Sequence, residues 1–298
     1  MELHPLRFPA VIDSTMLTSW DCPKKWEFAH GRRYGHEGKS IHLIAGAAYA
    51  KGLEVARLSY VQGADPETCL ERGTEALLME YGEAECPPDS AKTAERMVGA
   101  LEFYFDQYPL ETDPARVAII SGRPAVEWTF ALPLPFSHPE TGEPLLFTGR
   151  TDMICEFAGG LYAEDDKTTS QLGSSWSKQW ELRGQFTGYG WAARELGIKL
   201  AGTLVRGVSI LKTRYDTAQA IINQPDWKID QWVEYRDHRL AQMISAYREG
   251  RFIPALGEKC NEYGGCPFKS VCTIPPAQRP NWLAVNFVEN EWSPLNPA

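Results

Sequence analysis

Apolar residues recur at helical spacing over residues 38–60, with Ile44, Ala48 and Val55 on one side and Lys51, Glu54 and Arg57 on another, which predicts an amphipathic helix. Before it, Ser14-Thr15 ahead of Met16-Leu17 predicts a short helix with Ser14 as its N-cap, running towards Trp20 and Cys22-Pro23. A second short helix is expected to carry Trp26 and Phe28. Residues 66–81 and 90–108 predict two more helices, separated by the breaker Cys86-Pro87-Pro88. The period then changes. Residues 117–121, 125–132, 145–157 and 161–166 are short apolar or alternating runs punctuated by Gly and Pro, expected as consecutive strands of a largely antiparallel meander. A helical pattern returns over 176–196, a buried strand is expected over 201–211, and a last long helix over 227–250. The tail beyond Phe252 holds three cysteines and many prolines, so something other than backbone pairing must order it.

With 298 residues, 43% of them hydrophobic, the chain can bury one full core, alone or with a helical insert. No run reaches the roughly 18 apolar residues of a membrane span, and residues 1–10 lack a basic start and an apolar stretch, so a soluble cytoplasmic protein is expected. The formal net charge of -9 argues against tight non-specific coating of nucleic acid. Local charge differs: Lys24, Lys25, Arg32, Arg33 and Lys39 cluster near the start, and a cation-binding carboxylate site is acidic until its cation arrives.

The candidate chemistry is concentrated in two places. Gly149-Arg150-Thr151-Asp152 ends one strand-like run, and after a turn at Gly159-Gly160 the run Leu161-Tyr162-Ala163-Glu164-Asp165-Asp166-Lys167 begins the next. Antiparallel neighbours of this kind bring Asp152 beside Asp165, and strand periodicity points Asp165 and Lys167 to one face. Two facing carboxylates repel and invite a hard divalent cation such as Mg²⁺ or Mn²⁺. A cation, two carboxylates and an ammonium are the parts needed to cleave a phosphodiester, although a solvated strand end with a surface ion pair would read the same way.

The second place is the cysteines. Seven cysteines in an intracellular chain suggest thiols or metal ligands rather than disulfides. Cys69, Cys86 and Cys155 are scattered, whereas Cys260, Cys266 and Cys272 lie close together in a Gly- and Pro-containing loop, with Cys22 as the fourth candidate. The close Cys-x-x-Cys pairs of a structural zinc site are missing, and four thiolates suit either zinc or a 4Fe–4S cluster.

Taken together, these elements resemble the RecB-like branch of the PD-(D/E)XK nucleases. Gly149-Arg150-Thr151-Asp152 looks like that branch's Gly-x-x-Asp element, Asp165-Asp166-Lys167 like its Asp/Glu-x-Lys element, and Gln185-Phe186-Thr187-Gly188-Tyr189 like its Gln-x-x-x-Tyr element. Gln185 and Tyr189 are one helical turn apart, and the resemblance implies that their face borders the active site. It also implies that His42, although a lone histidine at a helix start is more often a cap or surface group, is an added metal ligand beside Asp152, Asp165 and the backbone carbonyl of Asp166. Lys167 would assist the attacking water. Glu127 resembles an acidic residue that some members place before the central strands, and an exposed strand position explains it equally well. The cysteines resemble those of the iron–sulfur members, including the AddB nuclease domain and the CRISPR-associated adaptation nucleases. There one cysteine before the core and three after it hold a 4Fe–4S cluster; here five residues separate Cys260 from Cys266, a longer first spacing than the familiar one.

The resemblance implies a restriction-endonuclease-like α/β core, a central mixed sheet flanked by helices, in one domain over residues 1–298. A helical insert is expected at 62–110 and a cluster-binding segment at 252–298. The implied activity is a Mg²⁺- or Mn²⁺-dependent deoxyribonuclease, most simply an exonuclease on single-stranded DNA or DNA ends in recombination, repair or phage DNA processing. No Gly-x-x-x-x-Gly-Lys-Ser/Thr motif is present, so unwinding would need a helicase or recombination partner. The rival readings are a non-catalytic DNA-binding or assembly subunit that keeps the fold and cluster, and a redox sensor whose cluster regulates DNA binding.

Overall fold

The computed structural model describes residues 3–261, 265–290 and 292–295. Along the chain lie β1 (Val11–Ile12), α1 (Ser14–Ser19), α2 (Pro23–Trp26), a π turn (Glu27–Gly31), β2 (Tyr34–Gly35), α3 (Ile41–Val61), α4 (Pro66–Tyr81) and α5 (Ala94–Gln107). Short strands β3 (Arg116–Val117), β4 (Ile119–Ile120) and β5 (Arg123–Pro124) lead to the long β6 (Val126–Ser137), β7 (Pro144–Phe157) and β8 (Gly160–Thr169). Then come α6 (Gly184–Glu195), β9 (Leu200–Ile210), β10 (Tyr215–Asn223), α7 (Asp226–Glu249), α8 (Lys269–Cys272), α9 (Arg279–Asn286) and β11 (Val288–Glu289). No helix among the described residues is long and apolar enough to cross a membrane.

The chain divides into two compact units, one of residues 39–129 and 150–229, the other of residues 1–38, 130–149 and 230–298. The first holds most of a mixed sheet. β7 pairs antiparallel with β8 from Phe157↔Gly160 to Met153↔Glu164, β8 runs parallel to β9, and β9 pairs antiparallel with β10. The β7–β8 turn is a two-residue one in which Ala158 (φ 49°) and Gly159 (φ 79°) are both left-handed, the conformation that follows the strands' own twist. Gly160 already belongs to the strand. Along the expected meander β3 pairs antiparallel with β7, β4 with β5 and β7 with β8, and the parallel β8–β9 step, made through α6, makes the sheet the mixed one expected.

Helices α3, α4 and α5 share a core of Tyr49, Leu53, Leu77, Met97, Leu101 and Tyr104 with Val208 and Ile210 of β9. Helices α3 and α4 approach closely because glycines face each other: a Cβ added at Gly73 would lie 2.8 Å from the Gly52 carbonyl oxygen. Arg57, expected on the polar side of α3, is instead 4% exposed. The helix expected over 176–196 forms only from Gly184; a 3-10 turn, Lys178–Trp180, and irregular backbone precede it.

In the second unit β1 lies parallel to β7 at Leu146 and Phe147, and β2 pairs with β11. Trp26 is fully buried among Phe8, Trp20 and Phe252, and Phe28, Tyr34, Phe268, Val271, Leu283 and Phe287 form a separate core that holds the C-terminal segment. The N-cap of α1 is Asp13, whose carboxylate accepts from the Met16 amide at 2.7 Å, with Ser14 inside the helix. An aspartate one residue earlier serves as well, since its oxygen reaches the same orphan donors.

Candidate active site

At the end of the β7–β8 ladder the backbone pairing stops and a side chain takes over. Past Met153↔Glu164, the Asp152 carboxylate accepts the Asp166 amide at 2.6 Å, and the Thr151 hydroxyl donates to the Glu164 carbonyl at 2.7 Å. Asp152 and Asp165 are thereby held as a pair of close carboxylates. Burial pushes the Asp152 carboxyl well above its ordinary range, and the charges of Asp165 and Asp166 push it further. Asp165 is 2% exposed and ion-paired with Lys167. Burial alone would lower the Lys167 ammonium, but Asp165 and Asp152 outweigh it and lift its pKa, so the side chain stays charged.

Helix α6 closes one side of this centre. The Gln185 amide donates to the Tyr189 hydroxyl at 2.7 Å, and that hydroxyl donates to the Arg150 carbonyl at 2.7 Å with Asp165 Oδ2 at 3.4 Å. The expected shared face of Gln185 and Tyr189 is therefore turned to the strand that carries Asp152. Glu127 joins from β6, where its φ of 50° breaks the strand's alternation. Its carboxylate is paired with Arg150 Nε at 2.7 Å and is close enough to Asp152 to raise that carboxyl. Burial raises Glu127 itself, against the pull of Arg150. His42 stands in the first turn of α3, exposed, and makes no hydrogen bond or ion pair among the described residues. The structure brings Asp152, Asp165, Lys167, Gln185, Tyr189 and Glu127 together, and His42 is not tied to them by any contact.

The opposite face of β8 carries a second charged assembly that sequence reasoning missed. Arg57 donates to Asp166 Oδ2 and Glu164 Oε1, each at 2.7 Å, and to the Tyr104 hydroxyl at 2.6 Å. Arg206, 1% exposed on β9, binds Asp113 through both terminal nitrogens at 2.6 and 2.7 Å and the Tyr104 hydroxyl at 3.1 Å. Burial pushes Glu164 up to about 7, against Arg57 and Arg206. Asp166, expected to contribute its backbone carbonyl to the metal, directs its side chain into this buried network. The signal was present in part, as Arg206 interrupts an otherwise apolar run.

In the second unit the four cysteines named from the sequence converge. The Cys22 sulfur accepts the Ala255 amide at 3.4 Å, the Cys260 thiol donates to the Ala255 carbonyl at 3.7 Å, and the Cys266 amide donates to the Cys260 carbonyl at 3.0 Å. Burial raises the Cys266 and Cys272 thiols, and Cys22 and Cys260 lie near enough to raise both further. All four are free thiols, and among the described residues no three His, Cys, Asp or Glu side chains are drawn tightly enough together to hold a metal as they stand. Cys69 and Cys155 are buried apart from this group.

Comparison with known proteins adds a family to this geometry. No curated relative matches the chain. Among solved structures, that of SSO0001 shares 14% identity over 91% of this chain and 88% of its own, with a TM-score of 0.35. A Eubacterium rectale protein named "putative exonuclease" shares 15% identity over 85% of this chain and 86% of its own, with a TM-score of 0.45. The model of the PD-(D/E)XK nuclease superfamily matches residues 16–273, a span that takes in the whole acidic centre and all four converging cysteines, and the chain belongs to that superfamily.

Proposed function

We propose that this nuclease is a Mg²⁺- or Mn²⁺-dependent deoxyribonuclease of the RecB-like branch, acting as an exonuclease on single-stranded DNA or DNA ends. One observation carries the reading: Asp152 and Asp165 are enclosed side by side with a charged Lys167 against them, a costly arrangement that a hard cation would relieve. When bound there, a divalent cation supplies a polarised phosphate and a water acidic enough to attack at neutral pH. Asp152 and Asp165 would hold it, with His42 and the Asp166 carbonyl as further ligands on the strength of the family resemblance. Lys167 keeps its proton at Nζ and can orient the water or stabilise the charge developing on phosphate. Tyr189, steadied by Gln185, fixes the Asp165 side of the pair relative to the Arg150 backbone.

The four cysteines gather as partly exposed sulfur donors, Cys22 and Cys260 near Cys266 and Cys272, a set whose chemistry suits a thiolate-bound group that would draw them together. We assign a 4Fe–4S cluster with a structural role, ordering the tail by closing a long loop; zinc is the alternative that metal analysis separates. An association with a helicase or recombination partner would supply unwinding.

The test is incubation of anaerobically purified protein with end-labelled single- and double-stranded DNA plus Mn²⁺ or Mg²⁺, beside folded Asp165→Ala and Lys167→Ala proteins. Metal-dependent cleavage lost in both variants is expected, with linear DNA degraded and circular DNA spared. A folded wild type that binds DNA and never cuts it would replace this reading with that of an assembly subunit.

A further inference from the structure

The ion pair at the edge of the acidic centre joins two residues held in opposite ways. Glu127 is fixed, with its backbone left-handed within β6 and its side chain 17% exposed. A non-glycine residue in that conformation is kept there by its surroundings. Arg150 is fixed only at its backbone, where the carbonyl accepts the Tyr189 hydroxyl. Its side chain is 47% exposed, and its guanidinium has no polar partner other than Glu127 among the described residues.

The charges around Asp152 explain what such a residue can do. Of the three carboxylates Glu127, Asp152 and Asp165, two carry a direct ion pair, Asp165 with Lys167 and Glu127 with Arg150. Arg57 and Lys51 attract Glu127 from further off, and Glu54 and Asp166 add negative charge around the group. Lys167 is ion-paired with the buried Asp165 and also attracted by Asp152, and its side chain is less exposed, at 30%, than that of Arg150. Arg150 is the less confined of the two, and a divalent cation drawn by the same carboxylates would repel it. A guanidinium so displaced carries the planar fork of donors that suits a phosphate.

We propose that Arg150 is an exchange residue, pairing with Glu127 until DNA and cation arrive, then moving to a backbone phosphate and releasing Glu127 to complete the carboxylate set around the cation. This rests on the nuclease reading above. Arg150 acts as a positioning residue for the phosphate, and Glu127 becomes a ligand only when DNA is present. The two ligands therefore help each other, since phosphate removes the arginine that competes with the cation.

Calorimetric Mn²⁺ titration of wild type, Arg150→Gln, Arg150→Lys, Glu127→Gln and Asp165→Ala, with and without a single-stranded oligonucleotide, tests this. Anisotropy of the labelled oligonucleotide in Ca²⁺ reads DNA affinity separately. Arg150→Gln is expected to bind Mn²⁺ several-fold more tightly than wild type without DNA, yet to bind DNA about tenfold more weakly for loss of a charge-assisted contact. Arg150→Lys should recover part of the DNA affinity, and Glu127→Gln should weaken Mn²⁺ binding when the oligonucleotide is present, without weakening DNA binding. Unchanged or weaker Mn²⁺ binding by Arg150→Gln overturns the exchange, while wild-type Mn²⁺ uptake abolished by Asp165→Ala would still uphold the metal centre. A wild type that takes up no Mn²⁺ overturns both.

Discussion

Replacing Arg57 by methionine probes the buried side of β8. The side chain is 4% exposed and spans Asp166, Glu164 and Tyr104, so methionine keeps much of its volume while removing three hydrogen bonds. Asp166 Oδ1 and Glu164 Oε2 already lack partners, and without Arg57 the Tyr104 hydroxyl, 3.1 Å from Glu164 Oε1, is the hydrogen bond that the Glu164 carboxylate retains among the described residues. Arg206 is 3.6 Å from Glu164 and compensates only in part. Breaking a buried ion pair from one side costs about 3–5 kcal/mol, because the remaining charge is stranded. The penalty has a pH signature. Burial has already raised Glu164, and a carboxyl raised in the folded state favours folding most when protonated, an advantage lost as pH rises through its folded value. Without Arg57 the carboxyl rises further, so the variant's deficit should be larger at pH 8 than at pH 5. Urea denaturation at both pH values, with Glu164→Gln and the double variant completing a cycle, measures it. The double variant should recover part of the loss, with a coupling of about 1–3 kcal/mol. A single-variant cost below about 1 kcal/mol, or one independent of pH, would refute the account.

Further outcomes follow from the same structure. Asp152→Asn keeps an acceptor for the Asp166 amide while removing a carboxyl whose pKa burial and Asp165 raise, so without added metal it should raise the melting temperature at pH 8 while abolishing metal-dependent cleavage; thermal melts and the cleavage assay read the two separately. His30 is lowered to about 4, first by burial and then by Lys25, so it contributes stability in full above its usual 6.5 that is lost as pH falls towards 4, at most about 3 kcal/mol; His30→Gln should flatten that part of the pH–stability curve. Gly73→Ala gains about 1 kcal/mol in helix propensity but drives a methyl to 2.8 Å from a backbone oxygen, so its melting temperature should fall. Cys22→Ser and Cys260→Ser should each lose the bound iron and sulfide measured in wild type, and a wild type holding zinc instead would reassign the centre.

Local signals were legible where chemistry and backbone agreed. Helix α4 begins at Pro66 and ends at Tyr81 as expected, with Asp65 capping its first turn and Gly82 left-handed at its end. The hairpin that aligns Asp152 with Asp165 was readable because strand alternation and a glycine turn agree. Long-range effects were not. Arg57 lies among polar positions on α3, and only the fold shows that Glu164 and Asp166 await it across the core. Strand β10 was not predicted; its alternation is weak, and pairing with β9 from Tyr215↔Ile210 to Asn223↔Gly202 makes it a strand. Residues 178–180 carry helical spacing, yet Trp176 is packed against Gly207, where a Cβ would meet its ring at 2.3 Å, and that tertiary contact prevails over local preference.

Three consecutive acids, Glu164, Asp165 and Asp166, make β8 ambiguous on its own, since sliding it by one residue would still present a carboxylate to each face. The buried arginine resolves the ambiguity. In the observed alignment Arg57 meets Glu164 and Asp166. A one-residue slip would give it Asp165 with the ammonium of Lys167 in one direction, cation against cation away from water, and Asp165 with the apolar Ala163 in the other, one carboxylate short. Arg57 thus proofreads the strand from behind, and a nuclease lacking it could fold with its acids present and its lysine pointing away from the substrate.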